Sequence, residues 1–168
     1  MMSNRPPLWA VLGTLVGAPL FMGASIVYVP YVLSGWRFAP PFLNWVGTRW
    51  IGAGLIALAT PVLLDFLERF VLEGHGTPVP FAPPQRLVVG GVFRFVRNPG
   101  YLAALAVIVG EALLFGSTRV LIYALGAALA FHAFVVGYEE PTLRSKFGAE
   151  YAAYARGVPR WIPRLPRR

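Results

Sequence analysis

The stretch that decides the fold opens with Arg94-Phe95-Val96-Arg97-Asn98-Pro99-Gly100-Tyr101 and closes on Glu139-Glu140. Between them lie two apolar runs, to Phe115 and from Val120 to Tyr138, separated by Gly116-Ser117. Two such runs around a short polar turn predict an antiparallel helical hairpin. Equal rise per residue on its two arms pairs positions whose numbers sum to about 234. Arg94 then stands opposite Glu140, and Arg97 opposite Gly137. Two cations and two carboxylates meet at one end of a hairpin whose body is apolar. Such a polar site is costly beside an apolar span unless its charges are matched.

Outward from the hairpin the apolar character continues. The 168 residues are 57% hydrophobic and only 13% charged, about half the usual charged share. The composition predicts an all-α integral membrane protein, a bundle of about four transmembrane helices. The first span covers about Leu8 to Leu33, with kinks at Pro19 and Pro30. The second runs from about Trp45 to Leu64 and on towards Phe70, with Asp65, Glu68 and Arg69 at its end. The third, Tyr101 to Phe115, reaches roughly 22 Å against a hydrocarbon core of roughly 30 Å, so the segment from Leu87 extends it or the bilayer thins. The fourth is about Val120 to Tyr138. One membrane domain, 1–168, is divided into a two-span hairpin (1–73), a cytosolic loop (74–100), a second hairpin (101–138) and a cytosolic tail (139–168). Within the loop, prolines 78, 80, 83 and 84 forbid regular helix and predict an extended lid or a stiff linker.

In the tail, Leu143, Phe147, Tyr151 and Tyr154 recur at helical spacing, with Arg144, Lys146 and Glu150 off the stripe. This predicts an amphipathic helix, ended by Gly157 and Pro159. Trp161 and Ile162, set among Arg160, Arg164, Arg167 and Arg168, read as an interfacial anchor on anionic lipid.

Charge sets the orientation. Of the 15 basic residues, 12 fall on the side shared by the amino terminus, the 65–100 segment and the tail, and Arg37, Arg49 and Arg119 fall on the other. The positive-inside bias makes both termini cytoplasmic. The net charge of +8 therefore reflects membrane orientation, and no nucleic-acid partner is expected. The Arg and Ala bias suggests a bacterial inner membrane. With no cysteine and only His75 and His132, no metal site is expected.

Several residues are candidates for chemistry. Arg94 and Arg97 serve either as positive-inside anchors or, facing Glu139 and Glu140, as a ligand site; Arg97 and Glu140 are the catalytic candidates and Arg94 a substrate contact. Glu111, inside span three near the far end of the hairpin and level with Tyr123, is a functional candidate by its depth, though a hydrogen bond to that hydroxyl or contact with the outer interface would account for it. His132, in mid-span near Tyr101, is a core histidine or a second substrate contact. Asp65 and Arg69 pair at i, i+4. Gly90-Gly91 has no dinucleotide-binding context, and neither histidine has the surroundings of a Ser–His–Asp arrangement.

The run Leu87-Val88-Val89-Gly90-Gly91-Val92-Phe93-Arg94-Phe95-Val96-Arg97-Asn98-Pro99-Gly100-Tyr101 resembles the isoprenylcysteine carboxyl methyltransferase family, which is related to the phospholipid methyltransferases. So do Glu139-Glu140-Pro141-Thr142-Leu143, Phe147-Gly148-Ala149-Glu150-Tyr151, Tyr154, Val158-Pro159-Arg160 and Pro163. The likeness spans about half the chain, Leu87 to Pro163. It implies an S-adenosylmethionine-dependent membrane methyltransferase that takes its acceptor from the bilayer and holds the cofactor at the cytosolic face, in the region Leu87–Tyr101 at the end of the 74–100 cofactor loop and at the paired glutamates. By position, Arg97, Asn98 and Tyr101 would line the cofactor pocket. Leu87, Val89 and Gly91 would give backbone contacts, and Glu139 and Glu140 would bind polar groups or orient the arginine. The family usually has His where Asn98 stands, so a proton-transfer role there is not carried over. Methyl transfer from a sulfonium to a carboxylate is an in-line displacement that needs alignment more than a base. The expected acceptor is therefore a carboxylate of a small or lipophilic, isoprenylcysteine-like molecule, with membrane lipid as the other partner. The alternatives are an NADPH-dependent membrane reductase resembling the sterol reductases, and a non-enzymatic component in which the Arg/Glu cluster only clamps the hairpin.

Overall fold

The computed structural model describes residues 16–73 and 86–165. The proline-rich segment expected to be a lid or linker lies outside the described residues, as does the start of the first span. All regular elements among the described residues are helical: α1 (Ala18–Gly23), α2 (Val29–Ser34), α3 (Gly47–Leu72), α4 (Pro99–Phe115), α5 (Thr118–Phe134) and α6 (Glu140–Gly157).

The bundle turns its apolar side chains outward. Leu58 and Leu129 are each 73% exposed, and Leu64, Ile122 and Leu125 are also exposed. Water would penalise that surface heavily, whereas lipid does not. Two helical runs are long and apolar enough to cross a bilayer, Gly47–Phe70 and Thr118–Gly157, and two shorter apolar helices, Ala24–Ser34 and Pro99–Phe115, pack with them. The chain is a membrane helical bundle.

Inside the bundle the contacts are made by small residues, which let backbones approach where lipid offers no hydrophobic drive. Ala59 packs with Ala103 and Val107, and Ile108 and Ala112 pack with Val120, Ala124 and Ala127. At the α3–α4 crossing, a Cβ on Gly52 would meet the Gly110 carbonyl at 2.5 Å, so glycine is required there. The α4–α5 hairpin turns where the sequence predicts. Gly116 ends α4 with φ +68°, and a side chain there would strike the Pro40 carbonyl at 2.4 Å; Ser117 caps α5 by accepting from the Val120 amide at 3.4 Å.

Two wide turns depart from regular helix. Between α1 and α2, Ala24–Tyr28 adopts the i→i−5 pattern, with the Val29 amide donating to the Ala24 carbonyl. In that register Pro30, lacking an N–H, makes no bond to the Ser25 carbonyl, and the Tyr123 hydroxyl donates to that oxygen at 2.9 Å. Tyr123 is thus engaged with the first helix, and of the two explanations offered for Glu111 the hydrogen bond to its hydroxyl is not formed; Glu111 is buried, and its Oε2 has no hydrogen-bond partner among the described residues. The second wide turn, Val135–Glu139, joins α5 to α6. The helix that carries the fourth span therefore does not stop at Tyr138 but continues as one helical run into the tail, up to a break at Gly148 (φ +49°).

Candidate functional site

Asp65, Arg69 and Glu73 stand one turn apart on α3 and form a staple. Arg69 Nε contacts Asp65 Oδ1 at 3.1 Å, and its Nη1 bonds to Glu73. The carboxylates also receive the incoming loop: the Val92 amide donates to Asp65 at 2.9 Å and the Gly90 amide to Glu73 at 3.2 Å. The staple holds the short 3₁₀ turn Gly91–Arg94 against α3, with Phe93 stacked among Phe66 and Phe70. Phe66 also covers Gly100, where a Cβ would lie 2.7 Å from its ring.

Past this turn the chain meets the tail. The Arg97 amide donates to the Pro159 carbonyl at 2.9 Å, and the Arg164 amide to the Phe95 carbonyl at 3.0 Å. Asn98 is buried at the start of α4, where its amide donates to the Arg160 carbonyl at 3.1 Å instead of capping the helix. The Tyr154 hydroxyl, from the far end of α6, donates to the Phe93 carbonyl at 2.8 Å. Residues 158–164 thus form a strap knitted to the segment ahead of Pro99, which fixes where Arg97 points.

Arg97 reaches Glu140, with Nη1 2.9 Å from Oε1, and the two side chains are 11% and 7% exposed. The same nitrogen lies 3.3 Å from the Tyr151 hydroxyl. Arg160 completes the cluster from the strap, placing Nε 2.7 Å from Glu140 Oε1 and Nη2 2.9 Å from Oε2. Arg144, more exposed, stands 4.0 Å from Oε2. Glu140 is a buried carboxylate with guanidinium groups on both oxygens. Its hydrogen bonds raise the Arg160 pKa above the ordinary arginine value. Glu139 points elsewhere and accepts from the Tyr101 hydroxyl at 2.9 Å.

These groups border a cleft of about 40 Å³ lined by Leu87, Arg97, Asn98, Glu139, Glu140 and Tyr151, among others. The Nε of Arg97 is buried with no hydrogen-bond partner among the described residues. A buried donor without an acceptor costs roughly 1–3 kcal/mol, which an incoming anion or carbonyl would relieve.

The structure thus brings together Leu87, Arg97, Asn98, Glu139 and Glu140, with Tyr101 joined through Glu139. Arg94, predicted opposite Glu140, is not there. It lines a separate open groove of about 630 Å³ with Gly91, Asp65 and Arg69. The reason is that residues before Pro99 are not on the helix, so equal rise per residue fails for them. The partner of Glu140 is Arg97, three positions further on than that rule gives, and the wide turn at Val135–Glu139 inserts one residue of the difference. Gly91 faces Arg69 rather than the cleft, and Val89 is exposed and outside the cleft lining. His132 is exposed, its Nδ1 accepting from the Trp161 indole at 3.1 Å, so it pins the strap and does not border the cleft. Arg160 turns inward to Glu140, where the tail pattern predicts an outward lipid anchor. Sequence reasoning did not place it among the candidate site residues; its signal was its place in the Val158-Pro159-Arg160 run that shares the family resemblance.

No group of three or more potential ligands able to hold a metal occurs among the described residues. No curated protein and no solved structure matches the chain. A family model for phospholipid methyltransferase matches residues 48–150, well over half the chain and with Arg97, Asn98, Tyr101, Glu139 and Glu140 inside it. The chain belongs to the phospholipid methyltransferase family and is a membrane methyltransferase.

Proposed function

We propose that the chain binds S-adenosylmethionine at the Arg97–Glu140 cleft and transfers its methyl group to a carboxylate of a small or lipophilic, isoprenylcysteine-like acceptor that arrives from the bilayer. The observation that carries this reading is the unsatisfied Nε of Arg97 beside a carboxylate already saturated by arginines. Arg97 has a donor left for an anion, and Glu140 holds the guanidinium in place. In-line displacement at a sulfonium needs the nucleophile held and dried more than it needs a base, and Glu140, with cations on both oxygens, is no base. The cofactor site draws on Leu87, Asn98, Tyr101 and Glu139 as well. A cleft of about 40 Å³ holds about one water molecule, so cofactor binding widens it. We assign the arginine-rich end of the bundle to the cytoplasmic face of a bacterial inner membrane, with both termini on that side.

Titration calorimetry of the detergent-solubilised protein separates the readings. S-adenosylhomocysteine is expected to bind with a micromolar-scale constant and NADPH not at all. Arg97→Ala should weaken the former at least tenfold, about 1.4 kcal/mol. Binding of NADPH alone favours a reductase. Binding of neither, with a large stability loss in the variant, leaves only a structural clamp.

A further inference from the structure

We propose that Arg160 is a positioning residue for Arg97: by occupying both oxygens of Glu140, it fixes the carboxylate that aims the Arg97 guanidinium at the cleft. The inference rests on the reading that Arg97 serves cofactor or acceptor binding. Arg97 holds Glu140 by one oxygen only, through one nitrogen at 2.9 Å. A carboxylate gripped at a single point is free to swing about its side-chain torsions. Arg160 adds the second and third contacts, at 2.7 and 2.9 Å, in the planar fork geometry that fixes both position and plane. Its own backbone is fixed by the residues it serves: Arg97 donates to the Pro159 carbonyl, and Asn98 to the Arg160 carbonyl. The loop of contacts is closed, from Arg97 through Glu140 to Arg160 and back to the Arg97–Asn98 backbone.

Two other roles fit less well. As a lipid anchor, Arg160 would extend outward like Leu165, which is 85% exposed; its side chain is 33% exposed and aimed at Glu140. As strap glue alone it would be redundant with the backbone bonds at Arg97 and Arg164 and with the Trp161–His132 contact.

The test is a double-mutant cycle read by S-adenosylhomocysteine calorimetry, with thermal melting beside it. Arg160→Ala should weaken binding about tenfold, or 1.4 kcal/mol. Arg160→Lys, which keeps the charge but not the fork, should recover only part of the loss. In a Glu140→Gln background the further Arg160→Ala change should move affinity by less than about twofold, because its route is already cut. Trp161→Phe, which loosens the strap elsewhere, should lower the melting temperature and leave affinity alone. Wild-type binding with unchanged affinity in Arg160→Lys and Arg160→Ala overturns the positioning role, as does an undiminished effect of Arg160→Ala in the Glu140→Gln background. An equal loss in Trp161→Phe does the same, because the whole strap would then matter. If Arg160→Ala does not fold, the Lys variant alone and in the Glu140→Gln background decides. A wild type that binds no S-adenosylhomocysteine removes the functional reading itself, and the inference with it.

Discussion

Two charge clusters grip the segment from Leu87 to Asn98, one on each side, and they are built in opposite ways. The Asp65–Arg69–Glu73 staple comes from a single helix, with partners one turn apart and about a third exposed. The Arg97–Glu140–Arg160 cluster draws on three parts of the chain, its contacts spanning 43 and 20 residues, with Glu140 only 7% exposed. The staple has its hydrogen bonds filled by the loop it holds, whereas the buried cluster leaves a donor unfilled at a cleft. A local pair about a third exposed contributes little net energy and mainly sets geometry. A buried carboxylate shared by two arginines is costly to break and sensitive to what enters beside it. The difference teaches where to look for chemistry: in the cluster that distant parts of the chain pay to assemble.

The largest expected effect follows from removing the shared carboxylate. Glu140→Ala strips Arg97 of its one ion pair among the described residues and Arg160 of its two contacts with that carboxylate. It should cost about 3 kcal/mol in detergent unfolding, the scale for breaking a buried pair, and weaken cofactor binding at least tenfold, about 1.4 kcal/mol. A loss no larger than that of a staple variant would erase the contrast between the clusters. A smaller effect is expected on the staple side. Gly91 has φ +50°, and a Cβ there would lie 1.8 Å from Arg69 Nε. Gly91→Ala should cost about 2 kcal/mol through backbone strain and a displaced arginine. Circular-dichroism melts measure it, and the titration should show that the folded fraction still binds cofactor normally. A selective loss of affinity would instead place Gly91 in the cofactor site.

The same contrast explains what was legible in the sequence. Hairpin, turn and staple follow from local rules, because apolar runs, a glycine that must adopt positive φ and i, i+4 charges all act within a few residues. The meeting of arginine and glutamate at one end of the hairpin was legible too, since helices keep level. Which arginine was not: the wide turn at Val135–Glu139 has no sequence mark of its own, and the rise of the 3₁₀ turn at Gly91–Arg94 is not that of an α-helix. Arg160 was hidden for a third reason. It stands on irregular backbone whose path is set by hydrogen bonds to Phe95, Arg97 and Asn98, and no periodicity reports such a path. The helix-level reading set Tyr123 at the height of Glu111, but its hydroxyl donates to the Ser25 carbonyl of the wide turn in the first helix, a contact between distant spans that spacing does not report.

The smallest effect belongs to Arg94, and it tests the boundary between the two clusters most finely. Arg94 is exposed, makes no ion pair among the described residues, and lines the groove on the staple side. Phe93, the residue before it, faces the cleft, so one backbone step separates the two sides. If the clusters are functionally distinct, Arg94→Ala should change stability by less than about 0.5 kcal/mol, as surface substitutions do, and leave S-adenosylhomocysteine affinity within about twofold. Turnover of a membrane-borne acceptor is the sharper measurement, because the groove is lined in part by Pro61 and Val62 of the long apolar helix α3. A raised acceptor KM with cofactor affinity intact would mean that the groove receives the acceptor and that the wall between the sides is part of one site. An unchanged KM confines the chemistry to the buried cluster and leaves the staple a purely structural hold on the loop.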